Sequence, residues 1–371
     1  MNFIPLIRPS IIKADIKAVA EVLASGMLVQ GINVETFEKR IADLIGVKHV
    51  IAASNGTATL HLILHALGIG EGDEVIVPAF SYVATANVVE LVGATPVFID
   101  VKLPDCNINI DLIEKAITPK TKAIIPVHEF GLACDINELM QIATRHNLFV
   151  IEDAACALGS KINDQPVGSF GIAGSFSFHP RKSITAGEGG VITTNDDALA
   201  GKLRLLRNHG QTITDGKMDF TEAGFNYRLT DFQAAFVNSQ LSRLDKNIAV
   251  KSRVAKKYLK EFKGNKNLLL PKNSKNKFHT WQTFHVIADE SIDRDALIQK
   301  LKEKNIGTNY GAQCIPFMKF YSDKYQLDCN GLFPNAMRAY LHGLAVPVYE
   351  RLKKEEVSYI IETLNELTSN K

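Results

Sequence analysis

The sequence has 371 residues, of which 46% are apolar, and its 42 basic residues balance 40 acidic ones to a formal net charge of +2. This length and apolar content suit about two domains with a large core, and the near-neutral charge gives no sign of a nucleic-acid or membrane partner. The five cysteines lack metal-ligand spacing, the N-terminus lacks a signal-peptide pattern, and no run of eighteen apolar residues occurs, so we expect a reduced, cytoplasmic protein with no metal site.

The chain begins with two short helical patterns, which end at Gly26 and Gly46. From residue 47 to 195, short β-rich runs alternate with helical stretches. The predicted strands are His49–Ala53, Glu74–Val77, Pro96–Ile99, Lys122–Val127, Phe149–Glu152, Ser175–Phe178 and Gly190–Thr193. Because these strands are apolar with little alternation and are separated by helices, the pattern predicts a mostly parallel sheet covered on both faces.

After residue 229 the pattern changes. Phe232, Phe236, Leu244 and Ile248 share a helical face, which predicts one long helix leading out of the large domain. Lys- and Asn-rich loops then surround a few strands and a final helix, Glu355–Leu367, as suits a smaller α+β domain. We therefore predict an α/β protein with a large domain over residues 1–245 and a small C-terminal domain over residues 246–371. The lysine-rich stretch 251–277 is interpreted as a solvated helix face and a loop.

Two glycine-containing segments are candidates for phosphate binding. The run Gly68-Ile69-Gly70-Glu71-Gly72 follows a helix and precedes a strand, the reverse of a dinucleotide fingerprint, and is interpreted as a helix-ending turn. The run Ser54–Ala58 follows a strand and opens a helix, where free backbone N–H groups and the helix dipole can hold an anion. Gly56 allows close approach and Thr57 adds a hydroxyl group, while an ordinary helix N-cap is the alternative.

Charged residues follow two further strands. Asp153 ends the apolar strand that precedes it, at the sheet edge where α/β proteins bind ligands, and could hold a cationic ring nitrogen. A helix N-cap before Ala154 is the alternative. Lys182 follows another strand and precedes a glycine-rich run, so a confined pocket could lower its pKa and expose a neutral amine for Schiff-base chemistry. A solvated surface lysine is the alternative, and His179 is interpreted as a packing or hydrogen-bonding group.

The order and spacing of these segments resemble the DegT/DnrJ/EryC1/StrS family of sugar aminotransferases, over nearly the whole chain. The matching runs include Gly31–Glu38, Ser54–Leu60, Val77–Thr85, Glu152–Ala155, Phe176–Lys182, Gly187–Gly190, Arg207–Gly210 and Gly224–Leu229. The resemblance implies the pyridoxal 5'-phosphate (PLP) dependent transferase fold of the aspartate aminotransferase type, fold type I. It also implies PLP as the cofactor, with pyridoxamine phosphate as its intermediate form.

The resemblance implies catalytic roles for two residues. Lys182 matches the lysine that forms the Schiff base with PLP and moves protons, and Asp153 matches the partner of the ring nitrogen. Tyr82 matches an aromatic residue that stacks on the cofactor ring. Relatives that act as sugar dehydratases have histidine in place of this lysine, so Lys182 favours amino transfer.

Further positions match phosphate-binding residues of the family. Gly56, Thr57 and Ser177 match positions within the subunit. Asn226 matches a residue that reaches the cofactor phosphate of the neighbouring subunit, which implies a homodimer with shared active sites. Cys156 departs from the family pattern, where Gln or His is frequent, and is interpreted as a small buried hydrophobic residue. The run Asn309–Cys314 replaces a His-containing segment, which affects sugar recognition and not the PLP chemistry.

The implied reaction moves an amino group from an amino acid, L-glutamate by family analogy, to a nucleotide-linked keto-deoxysugar. A 4-keto substrate is favoured because it is the commoner one in the family, and the product would enter a polysaccharide, a glycan or a specialised metabolite. Three alternatives stay open from the sequence. They are a 3-keto nucleotide sugar as substrate, a non-catalytic sensor that keeps the fold, and a PLP enzyme that acts on free amino acids.

Overall fold

The structure, a computed structural model, describes residues 2–272 and 275–369. Its helices are α1 (Lys13–Ser25), α2 (Ile32–Ile45), α3 (Gly56–Ala66), α4 (Ala84–Leu91), α5 (Ile113–Ala116), α6 (Ile136–His146), α7 (Asp197–Arg207), α8 (Asp231–Leu241), α9 (Leu244–Glu261), α10 (Arg294–Glu303), α11 (Lys319–Tyr325), α12 (Cys329–Leu332), α13 (Pro334–His342) and α14 (Lys354–Thr368). Its strands are β1 (His49–Ala53), β2 (Glu74–Pro78), β3 (Phe80–Ser81), β4 (Thr95–Ile99), β5 (Thr121–Ile124), β6 (Phe149–Asp153), β7 (Lys161–Ile162), β8 (Gln165–Pro166), β9 (Ala173–Ser177), β10 (Gly190–Thr194), β11 (Gln211–Thr214), β12 (Lys217–Phe220), β13 (Leu268–Leu269), β14 (Lys277–Phe278), β15 (Phe284–Ala288), β16 (Gln313–Cys314) and β17 (Gly343–Val346).

The central sheet has the strand order β1-β10-β9-β6-β5-β2-β4. Neighbouring strands from β9 to β4 pair in parallel, whereas β10 pairs antiparallel with both β1 and β9. Each strand predicted between residues 47 and 195 is present, with bounds that differ by a few residues. The sheet is therefore mixed but mostly parallel, as the sequence predicts, and joins residues from the whole first half of the chain.

The side chains of this sheet alternate between two apolar cores, one on each face. Ile51 and Val75 belong to the core that includes α3, α4 and α7, whereas their neighbours Val50 and Ile76 belong to the core that includes α2, α6 and α8. Successive residues of a strand point to opposite faces, so a strand covered on both faces must be apolar throughout. This is why the strands appear in the sequence as continuous apolar runs.

The helices that flank the sheet end where the sequence predicts, with one exception. Gly26 and Gly46 cap α1 and α2 with φ values of 72° and 77°, in the left-handed region that glycine adopts most easily. The single long helix predicted after residue 229 is wrong, because α8 and α9 are separate helices. At the break between them, Arg243 donates hydrogen bonds of 3.1 Å and 2.8 Å to the two carboxylate oxygens of the buried Asp15 in α1.

A third core lies between α9, α10, α14 and the antiparallel sheet of order β13-β15-β17. Ile4 is part of it, because its backbone pairs with Ile306. The predicted domain boundary between residues 245 and 246 stays a prediction. The lysine-rich stretch is not wholly solvated, contrary to its interpretation: Lys251 is 3% exposed and its Nζ lies 3.5 Å from Glu350. Burial lowers the pKa of Lys251, and the charge of Glu350 opposes this shift.

Candidate active site

Several strands of the central sheet end at one edge and bring the predicted site residues there. β1 leads to Gly56, β9 ends at Ser177, β6 ends at Asp153, and β2 leads through β3 to Tyr82. Gly190 opens β10 and pairs with the last residues of both β1 and β9. This pairing brings Gly56, which follows β1, close to Ser177. The carboxyl edge of a parallel sheet is where α/β proteins bind their ligands. The strand order therefore puts Gly56 and Ser177 on one side of Asp153, and β5 and Tyr82 on the other.

The segment after β1 forms the predicted anion-binding turn. Asn55 provides the N-cap of α3, since its side chain accepts a hydrogen bond of 2.8 Å from the Ala58 N–H. The N–H groups of Gly56 and Thr57 belong to the first helical turn, where backbone donors have no acceptor within the helix. A Cβ on Gly56 would lie 2.9 Å from the Cβ of Ser177. The turn thus serves both as a helix cap and as a cradle that leaves two backbone donors for a ligand.

Asp153 is buried at the end of β6. Its Oδ2 accepts a hydrogen bond of 2.9 Å from the Thr85 hydroxyl, and its Oδ1 accepts one of 3.2 Å from the Ala155 N–H. Burial raises the pKa of Asp153 and outweighs these two hydrogen bonds and the charge of Lys182, which act to lower it. Residues 154–160 contain no helix, so the interpretation of Asp153 as an N-cap is wrong. A buried carboxylate of this kind would be stabilised by a cationic partner.

Lys182 belongs to a cluster of four residues, which we call the lysine cluster: Lys182, Cys156, Asp153 and Glu129. The Nζ atom of Lys182 lies 3.0 Å from the Sγ atom of Cys156. Burial lowers the pKa of Lys182, but Cys156, Asp153 and Glu129 together raise it by more, so the pKa lies above its usual value. The expectation of a lowered pKa is therefore wrong, because the sequence does not reveal how many acidic groups surround the amine.

The loop that carries Lys182 is held by contacts from two helices, α8 and α9. Gln240 of α8 brackets Thr185, donating a hydrogen bond of 2.7 Å to its carbonyl and accepting one of 3.1 Å from its N–H. From α9, the Nζ atom of Lys251 lies 3.4 Å from the hydroxyl of Ser183, the residue that follows Lys182. These contacts tie the backbone at Thr185 to α8 and the side chain of Ser183 to α9.

Glu152 has a structural role, unlike Asp153, the next residue in the chain. One carboxylate oxygen accepts hydrogen bonds from the His128 ring at 3.0 Å and the Gly168 N–H at 2.7 Å. The other accepts from the N–H groups of Phe170 and Gly171 at 2.7 Å and 2.9 Å. The side chain of Glu152 is fully buried, and all its acceptor positions are used. It ties the loop before β9 to the strand that ends at the site.

The remaining predicted residues differ in their positions. Tyr82 lies just before α4 with 66% of its surface exposed, so its ring is free to stack on a ligand. Asn226 lies at the surface, where its backbone pairs with Asn208, and does not join the lysine cluster. Cys156 is half-buried and touches Lys182, so its interpretation as merely a small buried hydrophobic residue is wrong.

Sequence reasoning missed two residues of the site, Thr85 and Glu129. Thr85 lies in the first turn of α4 and holds Asp153. Glu129 follows β5 and is 4% exposed. Burial, followed by the negative charge of Asp153, raises the pKa of Glu129 to about 8. The signal that could have found Glu129 resembles the one that found Asp153, since Glu129 is a carboxylate two residues after the apolar run that ends at Val127.

Other features of the described residues bear on ligands. No three or more His, Cys, Asp or Glu side chains in residues 2–272 and 275–369 are grouped to hold a metal ion. No helix in those same ranges is long and apolar enough to cross a membrane. The cysteines are free thiols, at positions Cys106, Cys134, Cys156, Cys314 and Cys329.

The fold matches solved structures of sugar aminotransferases. Spr1654 from Streptococcus pneumoniae, a protein assigned as a sugar aminotransferase and solved in its PMP-form, has a TM-score of 0.94 and 29% sequence identity over 99% of this chain and 98% of that chain. Its PLP-form has a TM-score of 0.93. The fold, a mixed central sheet with a smaller C-terminal domain, is that of the PLP-dependent aminotransferases.

Sequence comparisons identify the family. GDP-perosamine synthase of Escherichia coli O157:H7 is 38% identical over 373 residues, which cover 100% of both chains. Spore coat polysaccharide biosynthesis protein SpsC of Bacillus subtilis (strain 168) is 35% identical over 379 residues, which cover 99% of this chain and 97% of SpsC. Residues 9–365 match the DegT/DnrJ/EryC1/StrS aminotransferase family. The chain belongs to this family of PLP-dependent sugar aminotransferases, as its motifs predict.

Proposed function

We propose that this protein is a PLP-dependent aminotransferase that moves the amino group of L-glutamate to the 4-keto group of a nucleotide-linked deoxysugar. One observation carries the proposal: Lys182, whose amine lies 3.0 Å from Cys156, and the buried Asp153 share one cluster at the carboxyl edge of the sheet, where the charge of each shifts the pKa of the other. Two relatives, named for GDP-perosamine synthesis and for spore coat polysaccharide biosynthesis, support a nucleotide-linked substrate and a polysaccharide pathway.

The residues of the site fit PLP. When bound, PLP supplies an aldehyde for amino groups and a ring that accepts electrons as a substrate carbon loses its proton. The backbone donors of Gly56 and Thr57, with the Ser177 hydroxyl, suit a phosphate group at a helix N-terminus. The buried Asp153 suits a cationic ring nitrogen, and Lys182 suits the aldehyde. A Cβ on Gly56 would crowd the Ser177 side chain, at 2.9 Å from its Cβ and 3.5 Å from its hydroxyl oxygen, so the cradle requires glycine at this position.

Each of these residues contributes in its own way to the proposed reaction. The Thr85 hydroxyl and a backbone N–H orient the carboxylate of Asp153, which keeps negative charge beside the ring nitrogen. The raised pKa of Lys182 means that its amine readily holds a proton, and with PLP bound its long side chain could carry that proton between a carbon of the substrate and a carbon of the cofactor. The exposed ring of Tyr82 supplies a flat apolar surface for an aromatic ligand.

We further propose that the active unit is a homodimer in which Asn226 completes the site of the partner. The N-terminal region leaves large apolar side chains exposed, as an interface would require, at Ile16, Leu23, Met27, Val29 and Ile32. Light scattering should give twice the chain mass. Mixed and re-equilibrated Lys182→Ala and Asn226→Ala dimers should regain activity that neither variant has alone, because some mixed dimers contain one intact site. A monomer, or no regained activity, would contradict the shared site.

The first test of the proposal is an absorbance spectrum of the protein with PLP, before and after adding L-glutamate. We expect a visible band from PLP bound to the lysine, which L-glutamate shifts to that of the pyridoxamine form. Lys182→Ala should lack the band. The exposed Lys263 gives a matched control, and Lys263→Ala should keep it. A band that persists in Lys182→Ala would overturn the lysine assignment and favour a sensor that keeps only the fold.

The second test identifies the acceptor. The protein loaded with PLP and L-glutamate is offered nucleotide-linked 4-keto-deoxysugars, 3-keto-deoxysugars and simple keto acids. We expect turnover with the first group, and nuclear magnetic resonance of the product should locate the new amino group at carbon 4. Turnover of simple keto acids alone would instead indicate an enzyme of free amino acids.

A further inference from the structure

Glu129 is a buried carboxyl group that the proposed mechanism leaves without a task. It follows β5, which lies beside β6 in the sheet, and the N–H of the preceding His128 donates a hydrogen bond of 3.0 Å to the Asp153 carbonyl. The Oε2 atom of Glu129 has no hydrogen-bond partner among the described residues, although it is buried. The charge of the Glu129 side chain acts on Lys182 and Cys156, which makes this residue a member of the lysine cluster.

The backbone around Glu129 is held in an unusual conformation. Its N–H donates a hydrogen bond of 2.9 Å to the Asn107 side chain. The next residues, Phe130 and Gly131, both have positive φ values, 57° and 93°, and a bulky residue rarely adopts such a value. The Phe130 ring stacks on His285 with centroids 4.6 Å apart, which holds the turn in place. Backbone strain of this kind is imposed by its surroundings and is concentrated at functional sites.

The surroundings of Glu129 favour a neutral carboxylic acid. Burial, and next the charge of Asp153, raises its pKa to about 8, against weaker opposing effects of Lys182, the Phe130 N–H and the Ser81 hydroxyl. Other titratable groups that face it are the thiols of Cys156 and Cys106. Near neutral pH the side chain therefore keeps its proton, and a protonated carboxyl group can donate a hydrogen bond.

The strand order decides which part of PLP would meet this group. The cradle of Gly56 and Ser177 lies on one side of β6, and β5 with Glu129 lies on the other. In PLP the phosphate arm and the ring hydroxyl flank the aldehyde on opposite sides. If the phosphate lay at the cradle and the ring nitrogen at Asp153, the hydroxyl side of the ring would face β5.

We propose that Glu129 donates a hydrogen bond to the ring hydroxyl oxygen of PLP and is a further catalytic residue of this enzyme. The inference rests on the proposed function, since it requires PLP bound through Lys182. With PLP bound through Lys182, that oxygen and the Lys182 nitrogen would share a proton. A second donor on the oxygen weakens its hold on the shared proton. Glu129 therefore lowers the pH at which the proton leaves the lysine nitrogen.

The test is a pH titration of the visible absorbance band in the wild type, Glu129→Leu and Glu129→Gln. Leucine removes the donor, so we expect the pKa of the band to rise by about one pH unit, the effect of one hydrogen bond. Glutamine keeps an N–H donor and should leave the pKa near that of the wild type. The exposed Glu138 on α6 gives the matched control, and Glu138→Gln should change nothing.

The outcomes separate the two proposals. A lower pKa of the band in Glu129→Leu would mean that Glu129 carries a negative charge, and an unchanged pKa would mean that it does not touch the ring. Either result overturns the inference while leaving the proposed function intact. Absence of the band in the wild type would instead overturn the proposed function.

A second measurement does not depend on how well the leucine variant folds. Infrared difference spectra of the wild type near pH 7, before and after adding PLP, should contain a carboxylic-acid carbonyl band that shifts on binding. The band should be absent from Glu129→Gln, which has the same shape and no acid. A wild type without any such acid band would overturn the inference.

Discussion

The replacement Glu152→Gln changes one carboxylate oxygen to an NH₂ group and keeps the side-chain shape. In the native protein this fully buried side chain accepts four hydrogen bonds, from His128, Gly168, Phe170 and Gly171. The amide retains one acceptor oxygen, so in either orientation two donors of the protein face an NH₂ group. A buried donor without an acceptor costs about 1–3 kcal/mol, so we expect a loss of about 4 kcal/mol in the free energy of unfolding.

Thermal unfolding measured by circular dichroism tests this estimate. With an unfolding entropy of about 2.1 cal/mol/K per residue, a chain of 371 residues should lose roughly 5 °C in Tm. The exposed Glu138 provides the control, because Glu138→Gln leaves no buried donor and should change Tm by less than about 1 °C. A Glu152→Gln Tm equal to that of the control would refute the claim that these four hydrogen bonds hold the loop before β9.

Three further predictions follow from the site and the core. Thr85→Val removes the hydroxyl donor to Asp153, which should raise the pKa of that carboxyl further and weaken PLP binding about tenfold in a fluorescence titration. Gly56→Ala adds a Cβ 2.9 Å from the Cβ of Ser177 in β9 and should weaken PLP binding at least as much. Inorganic phosphate should also stabilise this variant less against thermal unfolding than it stabilises the wild type. Burial lowers the pKa of His279 to about 3 and that of His285 to about 4. Between pH 6.5 and 4 the unfolded chain therefore binds protons that the folded chain does not. The free energy of unfolding should decrease as the pH is lowered, by up to about 1.4 kcal/mol per pH unit for each histidine. A Tm that stays constant over this range would contradict the prediction.

The sequence predicts the central sheet well because burial on both faces makes each strand a continuous apolar run. It predicts the helices less completely. The apolar stripe continues from α8 into α9, so periodicity alone does not reveal the break at which Arg243 turns to bind Asp15. In the same way, Lys251 appears as one lysine among many, because its burial depends on Glu350 in a distant part of the sequence.

The site is predicted to the extent that it follows from strand ends. Gly56, Asp153 and Lys182 each lie at or shortly after the end of a strand, and the sheet brings these strand ends to one edge. The sequence gives the wrong direction for the pKa of Lys182, because that value depends on the acidic groups that other strands bring to it. The role of Asn226 in a second subunit stays a prediction.

Three carboxyl groups lie at this edge of the sheet, and the donors that each already has distinguish their roles. A carboxylate offers about four acceptor positions. Glu152 has four donors, so it has no position left for a ligand. Asp153 has two, which orient it and leave room for a ring nitrogen. Glu129 keeps an oxygen with none among the described residues, and the same burial keeps its proton in place. The saturated carboxylate therefore serves the fold, and the two unsaturated ones are available for chemistry.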